Sequence, residues 1–130
     1  MAHGRLTYGE DYISMGMSNL GGRPLFSTVR EIDIGGGRIV PIGFVTDFGS
    51  VPRLADLLFG IDTRRGSISY LTHDYNYGLG ARGRLMADRE LRRDQAREGV
   101  GLIERTIVYM AVRLCGGPAY FPKKIKQKNV

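Results

Sequence analysis

Tryptophan is absent from this chain, cysteine occurs once, and only two histidines are present. A lone Cys115 excludes an internal disulfide and any zinc site built from several cysteines. Set in the apolar stretch VYMAVRLC, it reads as a small core residue rather than a nucleophile. No apolar run is long enough to span a bilayer, and MAHGRLTYGEDY at the N-terminus has no apolar signal-peptide core. The expectation is a chain that does not span a membrane and is made in a cytoplasm, there to stay or to be carried elsewhere by a larger assembly.

Acid is also in deficit: 19 Lys and Arg against 13 Asp and Glu leave a net charge of +6. Part of the excess is local, because PKKIKQK near the end holds lysines and no acid. The arginines of GARGRLMADRELRRDQAR are instead interleaved with Asp88, Glu90 and Asp94, the pattern of a solvated helix face with intrahelical ion pairs. A nucleic-acid surface wants aromatics among its basic residues. The arginine-rich stretch has none, which argues against a nucleic-acid partner.

What is present suffices for one folded domain of 130 residues, with a core expected at about 25–117, an N-terminal arm at 1–24 and a basic C-terminal arm at 118–130. DYISMGM reads as a strand. FSTVREIDI and RIVPIGFV read as two strands around Gly35-Gly36-Gly37, where glycine supplies the positive φ of a tight hairpin. The period then changes. VPRLADLLFG, with Ser50 as N-cap and Pro52 in the first turn, reads as a helix; SISYLTHDYNYG follows from about Ser67 to Gly78. A third helix is expected from about Leu85 to Glu98, and LIERTIVYMAVRLC, stopped by Gly116-Gly117-Pro118, is a fourth. Strands first and helices afterwards predict an α+β fold, a small antiparallel sheet packed by about four helices.

One of the two histidines stands in LTHDYNY. By helical spacing His73 shares a face with Ser69, Tyr70, Asn76 and Tyr77, and Asp88 shares one with Leu85, Leu91 and Gln95. An aspartate among core positions wants a partner, and if the two helices lie antiparallel that partner is His73. Asp74 would then point towards GFVTDFGSVPR, where Asp47 sits beside Thr46. Three uses remain open. An imidazole held by a carboxylate can act as a base, making His73 and Asp88 candidate catalytic residues. Asp74 and Asp47 are candidate ligands of a divalent metal such as calcium, or His73, Asp74, Asp47 and Asp88 jointly of a transition metal. Or the pair simply satisfies two polar groups and fixes helix register. Asp47 also suits a turn and a cap, and Arg53 an ion pair or an anion site at a helix start.

GFVTDFGSVPR, LTHDYNY, RLMADRELRRD and IVYMAVRLCGG, in that order over about residues 42–117, resemble family 1353 of the domains of unknown function. That family occurs in tailed bacteriophages, prophages and bacteria. Gly49, Asn76 and Leu91 depart from its usual residues, whereas Asp47, His73, Asp74 and Asp88 are kept. A more distant likeness is to the HD-x-x-Y helix pair of phospholipase A-two. It implies His73 as base, Asp74 as calcium ligand, Asp88 as orienter of the imidazole and Tyr77 lining the pair. GFVTDFGSVPR is not that family's glycine-rich calcium loop. The first resemblance implies a phage virion-associated structural protein of tail, baseplate or neck, reaching the virion after synthesis in the host cytoplasm. Its termini would contact other virion proteins or copies of itself. The second implies a small calcium-type ester hydrolase.

Overall fold

The computed structural model describes residues 5–17, 24–48, 67–80 and 83–115. The helix expected at VPRLADLLFG, Arg53, part of the N-terminal arm and the whole C-terminal arm lie outside them. The described part is α+β: five short strands, β1 (Tyr12–Met17), β2 (Pro24–Thr28), β3 (Ile32–Gly35), β4 (Arg38–Val40) and β5 (Val45–Thr46), precede three helices. These are α1 (Ile68–Leu79), α2 (Arg84–Arg97) and α3 (Leu102–Cys115).

The strands form two antiparallel sheets, one ordered β1-β2-β5 and the other the β3–β4 hairpin. The hairpin turns on Gly36 and Gly37, whose φ values of 63° and 76° are those of a two-residue primed turn. FSTVREIDI, expected as one strand, divides into β2 and β3, and RIVPIGFV divides into β4 and β5. Thr28 is the cause. Its hydroxyl donates to the Pro41 carbonyl at 2.7 Å and accepts from the Phe44 amide at 3.0 Å, pinning the β4–β5 connection to the end of β2. Just beyond, Arg30 turns back to Asp11 at 2.5 Å.

The core is aromatic on the sheet side. Tyr12, Phe26 and Phe48 pack with centroids 5.1 to 5.5 Å apart, and Phe44 meets Tyr75 edge-on at 5.7 Å to join the sheet to α1. Leu71, Leu91, Val108 and Val112 complete it from the three helices.

α1 runs one residue further than Gly78 before Gly80 closes it, and Gly78 is buried within the helix. The end of α2 is stopped by Gly99 at φ 86°, with the Val100 amide on the Gln95 carbonyl and the Gly99 amide on the Ala96 carbonyl, the paired bonds of a Schellman ending. On α3 only Val108 and Val112 are buried. Cys115, expected in the core, is exposed, because it lies nearly one turn past Val112 at the end of the helix. Leu85, expected inward beside Asp88, is likewise exposed, since the first turn of α2 precedes the packed stretch that begins at Ala87. Among the described residues, no helix is long and apolar enough to cross a membrane.

Candidate functional site

α1 and α2 pack side by side, and their seam is polar for its whole length. Serine, threonine, tyrosine, histidine and asparagine on the buried face of α1 meet carboxylates and an amide on α2. A buried polar group left without a partner is costly, so the seam's hydrogen bonds set the register of the two helices.

At one end stands Asp88, wholly buried. His73 Nε2 lies 2.7 Å from its Oδ1, and the Tyr77 hydroxyl donates to the same oxygen at 2.5 Å. Arg113 of α3 donates to Oδ2 at 2.8 Å. Burial alone would raise the Asp88 carboxyl, but hydrogen bonds from His73, Tyr77 and Arg113 outweigh it and hold the group below its ordinary range. The carboxylate is therefore ionised at neutral pH, and His73 carries its proton on Nε2 to donate to it. Burial, and the hydrogen bond given to Asp88, push the Tyr77 phenol well above its ordinary value, so it stays protonated. The His73 side chain is 6% exposed and Asp88 0%. The rings of His73 and Tyr77 lie 4.2 Å apart. The structure thus brings His73 and Asp88 together in a closed, three-helix contact.

Asp74 leaves this cluster in the other direction and accepts from the Thr46 hydroxyl at 2.5 Å. Thr46 in turn accepts from the Phe48 amide at 3.0 Å, where Phe48 sits at φ 56°. A buried aromatic in the left-handed region is strained, and this hydroxyl relay is what fixes the turn. Asp47, beside it, is half-buried. As candidate metal ligands, Asp74 and Asp47 belong to elements that this relay joins. Among the described residues, no three His, Cys, Asp or Glu side chains are grouped to hold a metal together.

Further along the seam, Glu90 accepts from both terminal nitrogens of Arg38 on the hairpin, at 3.0 and 2.5 Å, and from Asn76 at 2.8 Å. Arg38 also donates to the side-chain Oδ1 of Asn76 at 2.8 Å, so one bidentate pair ties sheet and both helices together. Gln95 donates to the Tyr70 hydroxyl at 2.7 Å. Glu98 accepts from the Ser69 amide at 3.0 Å and from the hydroxyls of Ser67 and Ser69 at 2.9 and 2.7 Å. It supplies from the end of α2 the cap that Ser67 does not give its own helix. Asp94 is the charged exception. Both its oxygens are buried without a hydrogen-bond partner among the described residues, as are Thr72 Oγ1 and Gln95 Oε1, and Arg93 and Arg97 approach Asp94 only to 3.7 Å. Burial first, and the neighbouring Glu90 carboxylate second, push it up to about 6.

The acids interleaved with arginine are therefore not a solvated face, because Asp88, Glu90 and Asp94 are all buried. Arginine and acid alternate around α2 so that acids point in and most guanidiniums out. Two residues of the site carried little signal in the sequence. Arg38 follows a glycine turn that could as well face water. Arg113, in AVRLC, is a lone cation beside the buried Val112; its place on the packed side of the helix was the available clue.

No curated protein and no solved structure matches the chain. A family model described as "Protein of unknown function (DUF1353)" matches residues 30–112, more than half of the chain, including the sheet-to-helix clamp and the His73, Tyr77 and Asp88 cluster. The chain belongs to the DUF1353 family.

Proposed function

We propose that the protein is a phage virion-associated structural component, of tail, baseplate or neck, in which the His73–Asp88 contact is a framework. The observation that carries this reading is the outer face of α3. Ile103, Met110 and Leu114 are 74%, 51% and 77% exposed, and half-buried Ile107 joins them at spacings of four, three and four residues. Such a stripe keeps to one side of a helix and, left in water, is the kind of surface a neighbouring subunit covers. The tailed-phage setting of the family resemblance supports the same reading. The test is mass spectrometry of purified virions. Peptides of this chain at stoichiometric level support the proposal, and their absence from intact particles removes it. Within the same experiment, Met110→Glu with Leu114→Glu lowers incorporation without lowering Tm.

The rival reading, a small metal-dependent ester hydrolase with a His73–Asp88 base, draws on the 2.7 Å contact between imidazole and carboxylate. Against it, His73 lies beneath packed side chains and Arg113 already neutralises Asp88. A base must reach the proton it removes, or reach it through one water. We therefore place the hydrolase second.

A further inference from the structure

A second feature lies away from the polar seam. A groove of about 450 Å³ opens between α2 and α3, lined by Arg89, Arg92, Arg93, Ala96, Arg105 and Tyr109. Among the described residues its lining has four guanidiniums and no carboxylate. Their own engagements are slight. Arg89 has no hydrogen bond or ion pair among the described residues. Arg92 makes one long bond, 3.4 Å, to the Thr106 hydroxyl. Arg93 stands 3.5 Å from Glu90 and 3.7 Å from Asp94. Arg105 gives one nitrogen to the Val100 carbonyl at 2.9 Å, and its side chain makes no other hydrogen bond or ion pair among the described residues. Four like charges around one groove repel each other, and an anion placed among them relieves that repulsion.

The anion's chemistry follows from the remaining lining. The Arg92 guanidinium lies 5.2 Å from the centroid of the Tyr109 ring, a cation–π contact at the groove wall. Tyr109 is only half-buried, and the small side chain of Ala96 takes up little of the groove beside it. As a linear string the arginine-rich helix has no aromatic to interleave. In the folded chain α3 supplies one. Guanidiniums for phosphates beside an aromatic and guanidinium face for a base is the pairing that binds single strands without reading their sequence. A duplex already stacks its bases on each other and gains nothing from the ring. An acidic peptide uses the charge but not the stack.

We propose that this groove binds single-stranded nucleic acid, with phosphates on Arg89, Arg92, Arg93 and Arg105 and a base against Tyr109. The proposal does not rest on the virion reading. The test is fluorescence anisotropy of a labelled oligothymidylate with the full chain across a salt series, the fold of each variant being checked by circular dichroism. Paired Arg89→Ala and Arg92→Ala substitutions are expected to flatten the log–log salt dependence by about 0.7 for each phosphate no longer neutralised. Tyr109→Leu weakens binding about tenfold, and Tyr109→Phe, which keeps the ring, restores it. Because the tail lysines attract any polyanion, a chain with Lys123, Lys124, Lys126 and Lys128 changed to Ser is run in parallel, and the Tyr109→Leu effect persists there. Three results overturn the assignment: groove variants that bind like the parent, a duplex or polyglutamate that competes as well as the single strand at equal charge, or thymidine monophosphate that competes as well per nucleotide.

Discussion

Removing the imidazole of His73 separates a clasp from a catalytic base. In His73→Ala, Asp88 Oδ1 loses the donor at 2.7 Å and keeps Tyr77, while the carboxylate itself remains wholly buried and charged. A hydrogen bond to a charged group contributes about 1.5–3 kcal/mol, and with Oδ1 wholly buried the loss lies at the upper end although Arg113 still balances the charge at Oδ2. The vacated ring volume adds about 1 kcal/mol, for the packed neighbours close over it only in part. The sum is about 3–4 kcal/mol. For a domain of this size it corresponds to a fall in Tm of roughly 10–15 °C. Scanning calorimetry at neutral pH measures it, with His73→Gln as the companion that keeps an N–H near Asp88 and recovers part of the loss. A base acting on substrate predicts the opposite pattern: an unchanged Tm with ester hydrolysis abolished. If His73→Ala melts within about 2 °C of the parent, the framework argument is wrong.

Asp94 sets a pH dependence of unusual sign. Its folded-state pKa is raised to about 6 from 3.8, so between those values the folded chain holds the extra proton and stability falls as pH rises. Above about pH 6 the buried charge costs roughly 3 kcal/mol, so Asp94→Asn gains up to that amount in urea melts at pH 7.5 and almost nothing at pH 4. Asp88 works the other way: its lowered pKa contributes stability above the ordinary carboxylate range, lost as pH falls through and below it. Arg38→Ala leaves buried Glu90 with Asn76 and the more distant Arg93 in place of a bidentate partner, and lowers stability by about 3–5 kcal/mol in denaturant melts. Thr46→Val removes the relay from the Phe48 amide to Asp74 at nearly constant volume, costing about 1–3 kcal/mol by the same measurement.

Much of this was legible in the sequence where local rules decide. The change from strand to helix period, the glycine hairpin and the helices carrying His73 and Asp88 depend on spacing and turn chemistry, and the structure has them. The break after Thr28 was not legible, because it depends on a hydroxyl meeting Pro41 and Phe44, 13 and 16 residues away. The inward turn of Glu90 and Asp94 was hidden for a different reason. Alternating acid and arginine looks the same whether the acids face water or a polar seam, and for Glu90 only the partners, Arg38 and Asn76, tell the two apart. The intrahelical pairs expected there do form, Arg93 with Glu90 and Arg97 with Asp94, but at 3.5 and 3.7 Å they are the weaker contacts. Arg113 was hidden too, because the apolar residues around it in AVRLC say nothing of the acid it meets on another helix.

Glu98, at the far end of α2, terminates the opening of α1 at the Ser69 amide. Arg84, at the near end of α2, donates to the carbonyls of Val112 and Arg113 at 2.7 and 2.6 Å and so terminates α3. At these ends the middle helix finishes both of its neighbours. Such an arrangement gives little room for one rod to fray while the others hold, so the three should lose amide protection together, as a single cooperative block.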